Sequence, residues 1–186
     1  MVFPKRYAET VARMRVTAGF VVAALFIALS EPTIHSLGLG ASVALPGMLL
    51  RGWAAGHLEK NQRLTTSGPF AHLRNPLYVG TLITGLGFAA ASNHIGAGAL
   101  MPAFFLLFYL PVVEEEEGHL RKLFPDYAEY ETCVGKFLPS FQARYRAGKP
   151  FQWDLYLRNR EYQALAGFCT GMALLAGKTL LWGWGS

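Results

Sequence analysis

His72-Leu-Arg-Asn-Pro-Leu-Tyr-Val-Gly80 runs without a break into Thr81-Leu-Ile-Thr-Gly-Leu-Gly-Phe-Ala-Ala-Ala91. A cation, an amide and a proline thus stand at the mouth of an apolar segment. Pro76 suits the first turn of a helix, where its missing N–H costs nothing, so the pattern predicts a helix from Pro76 to about Ala91. Further on the order is reversed: Phe104-Phe-Leu-Leu-Phe-Tyr-Leu-Pro-Val-Val113 is apolar, and Glu114-Glu-Glu-Glu117 follows it. Ser92-Asn-His94 is a turn short enough to join the two segments as a helical hairpin. Antiparallel neighbours of similar length bring the start of one beside the end of the other. Arg74 and the glutamates are therefore expected to meet.

The rest of the chain has the same character. Of its 186 residues 52% are hydrophobic and only 16% charged, whereas a soluble domain carries about a quarter charged residues. The length suggests one domain, residues 1–186. The apolar residues are bunched into blocks, and a spanning helix needs about 20 of them in a row. Five blocks qualify, at about 11–29, 37–55, 76–91, 95–113 and 162–182. No small-residue cleavage site follows the first, so it is read as a span rather than a leader. Cys133 and Cys169 fall in unlike segments and suggest neither a disulfide framework nor a metal site.

Charge tests this count. Lys5, Arg6, Arg13 and Arg15 precede or open the first block, and Lys60, Arg63 and Arg74 lie between the second and third. Arg121, Lys122, Lys136, Arg144, Arg146, Lys149, Arg158 and Arg160 lie between the fourth and fifth, while Glu31–Ser36 and Ser92–His94 hold no Lys or Arg. Alternate connections are basic and bare, as the positive-inside bias requires of an odd number of spans. The expected fold is an all-α integral membrane bundle of five transmembrane helices with a cytoplasmic N-terminus. Residues 114–160 form its cytoplasmic catalytic segment, at the inner membrane if the host is bacterial. The net charge of +5 then belongs to topology and membrane lipids, not to nucleic acid. Lys178, inside the last block, is expected to snorkel outward.

The two polar clusters define a chemistry. Unpaired amides after Pro76, with Arg74 beside them, suit a carboxylate or phosphate. Four adjacent glutamates cannot all point one way on a helix, so at least one faces the bundle and suits an ammonium or hydroxyl group. A ligand with both a carboxylate and an amine satisfies both clusters. Taken singly, each residue has a plainer reading. Arg74 is a snorkelling anchor, the acidic run a solvated cap, Tyr78 and Tyr109 belt aromatics, and His72 and His119 surface or packing residues. Gly167 and Gly171 allow close helix packing within the bundle.

Leu64-Thr-Thr-Ser-Gly-Pro-Phe-Ala-His-Leu-Arg-Asn-Pro-Leu-Tyr-Val-Gly80 resembles the signature of the isoprenylcysteine carboxyl methyltransferase family, a Ser-Gly pair followed by Arg-His-Pro-x-Tyr-x-Gly. Glu114-Glu-Glu-Glu-Gly-His-Leu120, with Phe124, Tyr127, Tyr130, Val134 and Pro139, is similar to that family's second motif. The superfamily also includes phospholipid N-methyltransferases. The resemblance implies S-adenosylmethionine as cofactor, bound at the cytoplasmic end of a small helical bundle, and a lipophilic small-molecule acceptor. Its donor-binding set carries over to Gly68, Phe70, His72, Arg74, Asn75, Pro76, Tyr78, Gly80, Glu116, Glu117 and Leu120. Arg74, Glu116 and Glu117 are the expected catalytic residues; no metal is implied. Leu120 to Pro139 is expected to fold over the donor as a lid, and the basic stretch Arg144 to Arg160 to favour anionic lipid headgroups. Four positions depart from the family pattern: Asn75 stands for His, Pro125 for Gly, and Gly135-Lys136 for Pro-Arg.

Overall fold

A computed structural model describes residues 5–140 and 149–182. Arg144 and Arg146, part of the basic stretch, lie outside them. Among the described residues the chain is all-helical: α1 (Lys5–Leu29), α2 (Ile34–Ala55), α3 (Pro76–Ala91), α4 (Ile95–Leu123), α5 (Tyr127–Cys133), α6 (Trp153–Arg158) and α7 (Glu161–Trp182). A 3-10 turn, Gly68–Ala71, precedes α3. A helix covers each of the five apolar blocks, but α4 does not stop at Val113. It carries the four glutamates on its own last turns, because nothing between Val113 and Leu123 breaks a helix.

The middle of α4 is wound differently. Phe105–Tyr109 forms a π-turn, in which the Leu110 N–H donates to the Phe105 carbonyl five residues back. Pro111 follows and has no N–H with which to satisfy the Leu107 carbonyl. The Tyr7 hydroxyl of α1 donates to that oxygen at 3.0 Å.

The tightest contact in the fold is between α2 and α3, whose facing positions are small. A methyl placed on Gly47 would come within 2.6 Å of the Gly80 carbonyl oxygen, and one on Gly87 within 2.6 Å of the Gly40 carbonyl oxygen. Only glycine lets two backbones approach this closely, as in other helix pairs built on small residues. By contrast, a methyl on Gly167 of α7 would meet nothing within 4 Å, while one on Gly171 would meet the Phe88 ring at 2.9 Å. Of that glycine pair, only Gly171 packs in the bundle.

The connections sort to two ends. At one end the Glu31 N–H donates to the Ser92 carbonyl at 2.8 Å, and Ser36 Oγ donates to the Ala91 carbonyl at 3.0 Å. Lys178 lies here, with its side chain turned toward the end of α1. Its ammonium donates to the Ile27 and Ala28 carbonyls at 2.8 and 2.9 Å, because the last turn of α1 leaves those oxygens without helical partners. At the other end the Arg74 N–H donates to the Gly135 carbonyl at 2.9 Å and the Gln152 N–H to the Gly56 carbonyl at 2.8 Å.

Two helices, Ile95–Leu123 and Glu161–Leu181, are long and apolar enough to cross a membrane, and Val16–Leu29 and Pro76–Ala91 are shorter apolar helices. The most apolar stretch of α7 is only 6% buried. The core helix of a soluble protein would be mostly covered, so this surface suits a membrane.

Candidate active site at the apex of α3 and α4

The start of α3 and the end of α4 come together, and their charges meet there. Asn75 Nδ2 donates to Glu117 Oε1 at 2.9 Å and also reaches the Lys136 carbonyl at 3.3 Å. Arg74 Nε stands 3.7 Å from Glu117 Oε1, and Arg74 Nη1 donates to Glu131 Oε2 at 3.1 Å. The Tyr78 hydroxyl donates to Glu116 Oε2 at 2.6 Å. Lys136 pairs with Glu114 and lies 3.3 Å from Glu117 Oε2. The four glutamates thus diverge as a helix demands. Glu114 and Glu117 meet the cations, Glu116 meets Tyr78, and Glu115 faces a cavity.

Glu117 is 2% exposed, so its charge depends on these neighbours. A buried carboxylate without partners is costly, and one with several donors is tolerated. One donor is not used. Arg74 Nε is buried and has no hydrogen-bond partner.

A cover lies over this apex. The Tyr130 hydroxyl donates to the Phe70 carbonyl at 2.7 Å, and the Ser140 N–H to the His72 carbonyl at 3.0 Å. Arg121 Nη2 donates to Glu131 Oε2 at 2.7 Å. That bond, with the nearby Arg74, holds the Glu131 carboxyl below the ordinary carboxylate range despite partial burial. Tyr127 is buried beside Tyr130, and burial followed by the Glu117 charge pushes its phenol well above the usual value.

Two cavities flank the apex. The smaller, about 70 Å³, is lined by Phe70, Arg74, Asn75, Pro76, Leu120 and Tyr127 among others. The larger, about 1060 Å³, opens between α1, α4 and the turn before α7. Leu58, Lys60, Asn61, Leu77, Tyr78 and Glu116 line both. The Tyr78–Glu116 pair is therefore part of the shared wall.

Not every residue expected in the donor set reaches these cavities. Gly68 sits in a left-handed conformation (φ +58°) against the His57 ring. His72 Nδ1 bonds the Ser140 carbonyl at 2.7 Å. Gly80 faces Gly47 and the Arg51 stem across the α2–α3 contact. Glu117 acts on the site through Asn75, Arg74 and Lys136. Sequence reasoning passed over Glu131 and Lys136 as site residues, and no spacing rule singles them out. It also passed over Arg51 and Glu161, which pair at 2.7 Å on the wall of the larger cavity. Opposite charges at the rims of two apolar blocks were the signal there, the same one that found Arg74 and the glutamates. Among the described residues no group of three or more His, Cys, Asp or Glu side chains is placed to hold a metal ion.

Comparison with known proteins bears on this geometry. The cobalt-zinc-cadmium resistance protein CzcN of Cupriavidus metallidurans is 36% identical over 135 residues, 67% of this chain and 61% of that protein. The nickel-cobalt-cadmium resistance protein NccN of Alcaligenes xylosoxydans xylosoxydans is 31% identical over 103 residues, 54% of this chain and 47% of that protein. The chain thus spans about half to three-fifths of the length of these curated relatives. No solved structure matches. The model of the phospholipid methyltransferase family matches residues 47–127, which include Gly47, Gly80 and Gly87 of the α2–α3 seam, Arg74, Asn75, Tyr78 and the four glutamates of the apex, and the six residues shared by the two cavities. That segment, a little under half of the chain, is similar to the phospholipid methyltransferase family, which belongs to the superfamily shared with isoprenylcysteine carboxyl methyltransferases.

Proposed function

We propose that the protein is an integral membrane methyltransferase of five spans that uses S-adenosylmethionine to methylate a lipophilic acceptor at the cytoplasmic face. The acceptor is a prenylcysteine-like carboxylate or a related lipid. The family match supports methyl transfer, and the distribution of Lys and Arg supports the orientation. The observation that carries the reading is the buried Arg74 Nε, which makes no hydrogen bond and stands 3.7 Å from the Glu117 carboxylate on α4.

The residues present fit the donor. Its amino-acid end offers a carboxylate for Arg74 and an ammonium for Glu116, which lines both cavities, or for Glu117 if its present partners move aside. When bound, S-adenosylmethionine supplies a methyl group on a positive sulfonium, and transfer removes that charge. Asn75 takes the place of a family histidine and keeps a donor aimed at Glu117. The smaller cavity holds about 70 Å³, against about 300–1,000 Å³ for small-molecule sites. The donor therefore needs the larger cavity as well, or movement of the cover formed by Leu120 to Pro139.

The acceptor decides what the protein must do. A carboxylate is already ionised, so positioning and exclusion of water suffice. An amine has a proton to lose, and Glu116 Oε2, held by Tyr78, is placed at the cavity wall to take it. The phospholipid methyltransferase match favours this amine branch as the second reading.

Calorimetric titration of the detergent-solubilised protein with S-adenosylmethionine tests the proposal. Saturable binding that weakens at least tenfold in Arg74→Ala is expected. Folded protein that shows no binding overturns the reading. Labelled methyl incorporation into lipid extracts, set against prenylcysteine mimics, then separates the two acceptor classes.

A further inference from the structure

The larger cavity has two unlike ends. Val16, Phe20 and Ala23 of α1 and Phe104 of α4 make one end apolar. Lys60, Arg158 and Arg160 line the other end. Several cations elsewhere are matched: Arg51 with Glu161, Arg74 with Glu131, Lys136 with Glu114 and Lys149 with Glu59, a carboxylate that also feels the charge of Arg158. Among the described residues, Lys60, Arg158 and Arg160 have no such partner. Glu115 and Glu116 also face this cavity, but Glu116 is bonded to Tyr78.

The turn that carries the two arginines is built rather than loose. Asn159 Nδ2 donates to the Ala55 and Leu58 carbonyls, each at 2.9 Å, at the end of α2. Glu161 grips Arg51 through both oxygens, at 2.7 and 3.0 Å. Arg158 and Arg160 alternate with these two anchors. Arg160 is held at φ +54°, a left-handed setting that residues with a side chain rarely adopt. Both arginines lie outside the family-matched segment.

We infer that Lys60, Arg158 and Arg160 form a subsite for an acidic group, phosphate or carboxylate, on the amphiphilic acceptor, remote from the atom that receives the methyl. The inference rests on the methyltransferase reading for the word acceptor, but not for the binding itself. Planar guanidinium groups suit phosphate and carboxylate oxygens. The apolar end of the cavity receives the chain attached to that group.

The test is equilibrium binding of labelled dodecyl phosphate to the full-length protein in a neutral-headgroup detergent, with inorganic phosphate and dodecylamine in parallel. Saturable binding of dodecyl phosphate is expected, with far weaker binding of the other two. The double variant Arg158→Gln/Arg160→Gln should bind it about tenfold more weakly, about 1.4 kcal/mol. Arg158→Lys/Arg160→Lys should recover most of that loss. Thermal unfolding checks that both variants fold. Unchanged binding in the glutamine variant, or dodecylamine binding as tightly as the phosphate, overturns the subsite. Inorganic phosphate binding as tightly as dodecyl phosphate makes it a free-anion site and overturns its assignment to the acceptor. If the parent binds dodecyl phosphate through these arginines but does not bind S-adenosylmethionine, the methyltransferase reading fails and the anion subsite stands.

Discussion

The α2–α3 seam and the α3–α4 apex use the same helix and hold it by opposite means. At the seam, glycines on both sides remove every side chain that would keep two backbones apart. At the apex, four acids and three cations are drawn in, and Glu117 is almost fully buried among them. The seam works chiefly by shape, with Arg51 of α2 the charged group that bonds across it to Leu77 and Thr81. The apex depends on ionisation and on how many donors each carboxylate finds. A rigid seam thus carries one half of a polar site, and the other half comes from a helix held by charge.

The largest effect should come from taking charge out of the apex. Glu117→Ala leaves Arg74, Lys136 and the Asn75 amide without their shared acceptor. Breaking a buried pair from one side costs about 3–5 kcal/mol, measurable as a drop in thermal stability in detergent. Next, Gly47→Leu drives a side chain into the Gly80 carbonyl and Thr84. Overpacking costs about 1–3 kcal/mol, and here the upper end is expected because backbone cannot yield as a side chain can. If this variant is as stable as the parent, the seam is not the rigid half of the comparison.

Glu131→Gln should cost less, about 1 kcal/mol or below at neutral pH, as for other partly exposed pairs. The sign of its pH dependence follows from its lowered pKa. The carboxylate stabilises the fold above its ordinary pKa, and that contribution is lost as pH falls through the depressed folded value. Parent and variant should therefore differ at pH 7 and converge in acid, as unfolding followed across pH will show. Smallest of all, Gly167→Leu enters open space and should change stability by about 0.5 kcal/mol at most. A large loss there would mean that the face of α7 carrying Gly167 is packed against a partner outside this bundle.

The legible part of this design was the part written in blocks. Apolar runs located the helices, and the rim charges on each side of Ser92–His94 located the apex. The α2–α3 seam was not legible. Gly40, Gly47, Gly80 and Gly87 sit among other glycines, and only their mutual register, a tertiary property, makes them a surface. For Lys178 the apolar run suggested only a route to water. Its use as a cap for α1 depends on where another helix ends. Lys136 and Glu131 were missed for a similar reason. They enter the site from a cover that folds back over it, and their distance along the chain from Arg74 says nothing of that return. Asn75, a visible departure from the family pattern, became interpretable only when its amide was seen to bond Glu117.

The π-turn at Phe105–Tyr109 has one more consequence. Each residue of an α-helix advances its direction by about 100°, so one surplus residue sets the rotational phase of all that follows. Leu106 and Leu107 look outward before it, and the carboxylates beyond it look toward Tyr78 and Asn75. Deleting a single residue between Phe105 and Tyr109 would leave hydropathy and formal charge almost untouched. It would nevertheless swing Glu114 to Glu117 by more than a quarter circle. The shortest route to a greasy, helical and inert chain therefore runs through a lipid-coloured stretch, with every acid still in place.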